Sequence, residues 1–170
     1  FNVLAYSDEY SKQPGQVGSD VSYYGYHGYW AKNFEALNPE LGTIEDFHTL
    51  IDEAHARNMK IMVDVVINHT GYGMKSGDTP EANGGPSGLA GFPTSAEQDV
   101  FSGMLRTDGS TDEVYGELAG LPDFITEKSE VRSKIIEWQV KWVEELGKTS
   151  QGNTIDYFRI DTAKHVDKTT

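Results

Sequence analysis

The feature that most constrains this chain is Ile61-Met62-Val63-Asp64-Val65-Val66-Ile67, a nearly continuous apolar run broken by one carboxylate. A strand with one wet face alternates apolar and polar residues, whereas a run of this kind fits a strand covered on both faces, as parallel sheets require. The segment before it has helical character. Thr43 reads as an N-cap, Glu45 and Asp46 sit in the first turn where the dipole favours negative charge, and Ile44, Phe47, Leu50, Ile51 and Ala54 recur at helical spacing. Asn58 is the expected stop. After the run, residues 71–120 carry eleven glycines and no helical period. They read as a long excursion of loops and short strands, and an excursion of that length inside a compact unit is usually functional. Ser129 is the expected cap of a second helix with a stripe of Val131, Ile135, Trp138, Trp142 and Leu146, closed by Gly147 at the position after the cap. Ile155-Asp156-Tyr157-Phe158-Arg159-Ile160 then reads as another strand.

Helix, strand, excursion, helix and strand in that order give an α/β chain with parallel strands, compatible with either a doubly wound sheet or a (β/α)8 barrel. Residues 1–30, rich in Tyr, Ser and Gly, read as a long loop. In both architectures ligands bind at the carboxyl ends of the strands. The polar residues obey that rule: Asn68 and His69 follow the first strand, and Asp161, Lys164 and His165 follow the second.

Asp161 lies two residues after Arg159, so in a strand the two share a face. A guanidinium there would favour the ionised carboxylate, the state a carboxylate nucleophile needs, although an Arg–Asp ion pair of purely structural use has the same spacing. Asn68, His69 and Asp123 taken singly fit caps, turns and local hydrogen bonds equally well, and Asp64 inside its strand fits a buried carboxylate tied to a polar neighbour. The cluster Tyr23-Tyr24-Gly25-Tyr26-His27-Gly28-Tyr29-Trp30 offers flat rings with polar edges, suited either to sugar stacking or to fastening a loop. Phosphate-loop, dinucleotide, H-E-x-x-H, paired Cys/His and nucleophile-elbow patterns are absent from the sequence.

Charge narrows the partners. Fourteen basic against 27 acidic residues give a net charge of −13, which repels nucleic acid and suits a neutral substrate, while surplus carboxylates can serve a hard cation such as Ca²⁺. No apolar stretch is long enough to span a membrane. The lack of cysteine fits a secreted protein and equally a cytosolic one; an extracellular, monomeric parent is the expectation.

Taken together, Asp64-Val65-Val66-Ile67-Asn68-His69, Phe158 to Val166, Leu121-Pro122-Asp123 and Tyr26-His27-Gly28-Tyr29-Trp30 resemble four signature segments of the α-amylase superfamily of glycoside hydrolases, in the family's order. The resemblance implies a partial (β/α)8 barrel running from after its second strand through its fourth. Residues 1–70 and 124–170 would belong to the barrel and 71–123 to an inserted irregular domain between the third strand and third helix. It implies Asp161 as nucleophile and Arg159 as the group keeping it ionised. Tyr29, Trp30, His69, Lys164 and His165 would meet substrate. Asn68, Asp123 and the His165 carbonyl would hold Ca²⁺, with Asp112 or Glu113 as further candidates, and Asp64 would be structural. The implied activity is retaining hydrolysis of α-1,4-glucosidic bonds in starch or malto-oligosaccharides. A cyclodextrin-forming transglycosylase shares these motifs, and a non-catalytic glucan- or calcium-binding protein on the same scaffold is the reading from another class. The family's acid Glu and third carboxylate lie after its fifth and seventh strands, so the 170 residues are expected to be an internal piece, inactive alone.

Overall fold

The computed structural model describes residues 27–82, 87 and 91–170, with the backbone of residues 8–9 and 23–24. Most of the expected loop over residues 1–30 therefore lies outside the described residues, as do the side chains at positions 23–26 of the aromatic cluster and Gly84, Gly85 and Gly88. What is described there departs from a plain loop: β1 (Asp8–Glu9) and β2 (Tyr23–Tyr24) pair antiparallel, Asp8 opposite Tyr24 and Glu9 opposite Tyr23.

Helix α1 spans Ile44–Ala56. Thr43 and Asp46 close a capping box, the Thr43 side chain accepting from the Asp46 N–H while the Asp46 carboxylate accepts from the Thr43 N–H at 2.9 Å. The helix ends where Asn58 adopts φ 55°, a conformation Asn tolerates better than most residues. Its inward face is Phe47, Ile51 and Ala54 with Ile44 partly buried beside them, whereas Leu50, also expected on that face, is 41% exposed.

Strand β3 (Met62–Val66) pairs parallel with β6 (Tyr157–Asp161), bringing Asp64 opposite Arg159 and Val66 opposite Asp161. Only one face is closed in the way the apolar run predicts. Val63 and Val65 are fully buried and pack with Phe47, Ile51, Trp142 and Ile155. Met62 and Tyr157, on the face that carries Asp64 and Arg159, are more than half exposed. The pair thus has an apolar side for packing and a side that carries Asp64, Arg159 and Asp161, on which Val66 alone of β3 is buried.

The excursion between the strands is more ordered than its glycines predict. It contains a short helix α2 (Ser95–Asp99), then β4 (Leu105–Arg106) and β5 (Asp123–Phe124), which pair antiparallel with Arg106 opposite Asp123. Thr94 and Glu97 make a second capping box, a legible signal that the glycine content obscured.

Helix α3 runs over Ser129–Lys141 and continues as one π-helical turn, Trp142–Leu146. Ser129 is the first helical residue rather than the cap: Lys128 holds that position without a side-chain bond, and the Ser129 hydroxyl turns to Glu130. The stripe itself is as expected, with Val131, Ile135, Trp138 and Trp142 buried. Gly147 is the cap residue at φ −94°, so its role is not left-handed freedom. A Cβ there would lie 2.4 Å from the Trp142 carbonyl, which accepts the Gly147 N–H at 2.8 Å. Trp138 stacks on Phe34 with centroids 4.7 Å apart, next to Phe101 and Phe124, and forms the second apolar cluster with Val66 and Met74.

The opposite ends of the strands are tied by Asp156. Its carboxylate accepts from the Ile61 N–H at 2.9 Å, Lys60 at 2.9 Å and His55 at 2.8 Å, joining the end of α1 to the entrances of β3 and β6. Burial alone would raise Asp156, but the Ile61 amide, Lys60 and His55 together hold it at about 2. The bond to Asp156 raises His55 above its ordinary value. A folded imidazole that holds its proton more tightly than the unfolded one stabilises fully below pH ~6.5 and loses that contribution as pH rises through the raised value. The melting temperature of the intact protein should therefore decline from pH 6 toward 8, and His55→Asn should flatten that decline. An unchanged slope in the variant would rule out this clasp as its source.

Candidate active site

Because β3 and β6 are in register, their polar residues converge at the carboxyl ends. Arg159 sits between two carboxylates: Nη1 donates to Asp64 Oδ2 at 2.6 Å, and Nη2 lies 2.9 Å from Asp161 Oδ1. The bond to Asp64 is the leading cause that raises the Arg159 guanidinium above its ordinary value. Asp64 Oδ2 also accepts from the Tyr29 hydroxyl at 3.2 Å. Burial, then the Asp64 charge, pushes the Tyr29 phenol up, which keeps it a neutral donor. Asp64 thus links Tyr29 to the Arg159–Asp161 pair. Sequence reading left Asp64 as a structural carboxylate because the cross-strand register that sets it opposite Arg159 is not written in either strand.

Asp161 is a quarter exposed and faces solvent from the strand end. The next residue, Thr162, has φ 55° and ψ 23°, a left-handed conformation that is rare for a β-branched side chain. Its hydroxyl donates to the Asp161 carbonyl at 2.7 Å. The turn ends the strand at the carboxylate and redirects the chain into the short 3₁₀ turn Ala163–His165. There Lys164 donates to Glu113 Oε1 at 2.6 Å, and His165 Nδ1 lies 2.7 Å from the Glu113 carbonyl. A carbonyl can only accept, so Nδ1 carries the hydrogen and Nε2 of a neutral ring is left as an acceptor. A cleft of about 380 Å³ lies between His165, Glu113, Glu117 and Leu118.

The aromatic wall is continuous. His27 meets Trp30 edge-on at 4.6 Å, and Trp30 meets Tyr72 edge-on at 5.2 Å. Tyr72, whose hydroxyl donates to the Ala119 carbonyl at 2.9 Å, was not singled out from sequence, since it is a lone ring among glycines.

His69 is held by protein groups. The ring is buried, Nε2 lies 3.2 Å from the Tyr29 carbonyl, and Nδ1 lies 3.2 Å from Asn68 Nδ2. The neutral tautomer with hydrogen on Nε2 satisfies both contacts. Burial lowers its pKa to about 4 despite the opposing Tyr29 carbonyl. A hydrogen bond from His69 to a sugar requires exchange with that carbonyl.

The expected cation ligands fall into two groups. Asn68 and Asp123 are neighbours: the Phe124 N–H donates to the Asn68 carbonyl at 2.7 Å, and His69 forms an isolated antiparallel bridge with Asp123. Each is 1% exposed, and Asn68 Oδ1 and Asp123 Oδ1 make no hydrogen bond among the described residues. A buried acceptor left without a donor costs about 1–3 kcal/mol, so two such oxygens on adjoining backbone segments fit a hard cation that takes oxygen ligands. Burial pushes Asp123 up to about 7, against the pull of Arg106, whose guanidinium pairs with Oδ2. Asp112 and Glu113 are committed elsewhere. Asp112 Oδ1 accepts the Val114 and Tyr115 N–H groups, both at 2.8 Å, and Glu113 holds Lys164. Among the described residues no three His, Cys, Asp or Glu side chains group to hold a metal. A site here would therefore draw on the Asn68 amide, Asp123 and a main-chain oxygen.

Comparison with known proteins places this geometry. The family profile described as "Alpha amylase, catalytic domain" matches residues 10–170. Alpha-amylase 2 of Schwanniomyces occidentalis is 34% identical over 161 residues, covering 90% of this chain and 29% of that protein. A cyclomaltodextrin glucanotransferase of Bacillus sp. (strain 1011) is 35% identical over 153 residues, covering 87% and 20%. Among solved structures, the α-amylase of Geobacillus thermoleovorans complexed with acarbose superposes with a TM-score of 0.58 at 28% identity, over 99% of this chain and 32% of that one. The chain thus spans less than a third of the curated relatives compared here.

Proposed function

This chain belongs to the α-amylase catalytic-domain family, and from that premise we propose that it forms part of a retaining glycoside hydrolase acting on α-1,4-glucosidic bonds of starch-like polysaccharides. The observation that carries the reading is Asp161, solvent-facing at a strand end and paired with Arg159 at 2.9 Å. In the first step a carboxylate oxygen of Asp161 bonds to the anomeric carbon while the glycosidic C–O bond breaks and an acid outside these residues protonates the departing oxygen. Water then cleaves the glycosyl ester and restores the carboxylate. Tyr29 and Trp30 supply the ring faces against which the sugar stacks. Lys164 and His165, held by Glu113, receive the leaving-group side.

Fold and domain boundaries follow the same reading. Residues up to 70 and from 124 onward form part of a TIM barrel, and 71–123 an insertion. The parallel β3–β6 pair supports this, with Asp64, Arg159 and Asp161 on one side and, on the other, exposed Ile160 lining a cavity with Ile136 and Val140 of α3. Asn68 and Asp123, with the His165 carbonyl as third ligand, would hold calcium, which would supply the countercharge for the free Asp123 oxygen and tie the insertion to the barrel. The enzyme acts as an extracellular monomer on starch or malto-oligosaccharides. Among the described residues no helix is long and apolar enough to cross a membrane.

Transglycosylation is the second reading, favoured by the Bacillus relative at 35% identity. One assay separates the alternatives: the full-length protein is incubated with soluble starch, and reducing ends and cyclic products are followed together. Reducing ends without cyclodextrins are expected. Cyclodextrins as the main product would move the assignment to a transferase, and no turnover with retained glucan binding would move it to a non-catalytic protein.

A further inference from the structure

Arg106 is a largely buried cation that the strand-end chemistry does not use. It stands opposite Asp123 in the β4–β5 pair, with its side chain 13% exposed. The guanidinium is divided between two carboxylates, Nη1 on Asp123 Oδ2 and Nη2 on Glu127 Oε1. Its carbon lies 5.7 Å from the centre of the Tyr115 ring, and the Tyr115 hydroxyl donates to Asp167 at 2.8 Å. Arg106 therefore joins the insertion to the start of the second barrel portion and, through Tyr115, to the segment after His165.

The division matters for Asp123. With Oδ2 held by the guanidinium, the carboxylate cannot rotate freely or offer both oxygens to one ion. Oδ1 alone remains, buried and without a hydrogen-bond partner among the described residues, as is Asn68 Oδ1 on the strand-end segment that bridges to Asp123. Arg106, Asp123 and Glu127 sum to one net negative charge, so the guanidinium does not cancel the attraction for a divalent cation. We propose that Arg106 is a positioning residue for a divalent-cation site at Asn68 and Asp123, fixing Asp123 as a single-oxygen ligand. The inference rests on the calcium reading above and adds to it a residue outside the ligand set. A fork that grips two carboxylates in one plane is a task for Arg, because a Lys ammonium can hold either partner as a point charge but does not fix the plane.

The test is Tb³⁺ binding to the full-length protein, read by luminescence sensitised through nearby tyrosines and displaced by Ca²⁺, with metal-free melting temperatures in EDTA measured alongside. The wild type should bind, and Asp123→Asn should abolish the signal and so locate it. Arg106→Met should weaken binding roughly 10–100-fold, the range typical when a group supporting a metal ligand is removed. Arg106→Lys should fall between the two, and it decides the matter where the Met variant does not fold. A purely structural Arg106 would lower the metal-free melting temperature and leave the dissociation constant unchanged; that result, or tighter binding, overturns the inference while the calcium reading stands. No binding by the wild type, or a signal indifferent to Asp123→Asn, overturns both.

Discussion

Replacing Asp161 with Asn in the full-length enzyme should lower kcat on soluble starch by at least about 10⁴-fold while the folded protein keeps its melting temperature within a few degrees. The amide has nearly the shape of the carboxylate but cannot form the ester, so the covalent route closes. Stability changes little because the groove holds a second carboxylate. Arg159 Nη1 remains bonded to Asp64 at 2.6 Å, and only the 2.9 Å contact to Asp161 loses its charge. Exposed ion pairs contribute on the order of 1 kcal/mol or less. An Asn variant with a tenth of wild-type turnover would remove Asp161 from the nucleophile's position. Loss of cooperative unfolding would instead assign it a structural task.

The second large effect belongs to Trp142. It is 1% exposed, meets Phe47 edge-on at 6.1 Å, and donates its indole N–H to the Phe34 carbonyl at 2.7 Å. Trp142→Ala should cost the intact protein about 3–5 kcal/mol in urea denaturation, the usual range for emptying an aromatic site. Trp142→Phe separates the two contributions: it keeps most of the volume and leaves a buried carbonyl unpaired, worth about 1–3 kcal/mol. If both variants lost the same amount, the hydrogen bond rather than packing would dominate. If the Phe variant lost nothing, the Phe34 carbonyl would have found another donor.

Much of the scaffold was readable because it rests on local rules. The Thr43 cap, the stop at Asn58, the stripe on α3 and the two strands all follow from spacing within a dozen residues. The misses share a different cause. Leu50 matched the helical period of α1 but lies at the edge of the buried face. Gly147 matched a left-handed cap, yet the π-helical turn before it brings the Trp142 carbonyl too close for any Cβ. Both depend on how elements meet. In the candidate site, the motifs single out Asp161, Arg159, Asn68 and Asp123 but do not give the partners the fold sets beside them. Asp64 joins Tyr29 to Arg159 only because β3 and β6 align at one register, and Arg106 reaches Asp123 across a strand pair only two residues long. His69 carries partners no motif spells out: its ring lies between the Tyr29 carbonyl and the Asn68 amide.

The two-sidedness of the β3–β6 pair carries over to inheritance. Val63, Val65 and Phe158 pack on one side, and Asp64, Arg159 and Asp161 line the other, so neighbouring codons answer to different demands. A change at one parity alters how many intact molecules a cell keeps. A change at the next alters what each molecule does. Along these two strands, Val66 apart because it is buried on the side of Asp64, lineages can drift in abundance and in chemistry separately, because the pleat of a strand keeps the two demands on opposite faces.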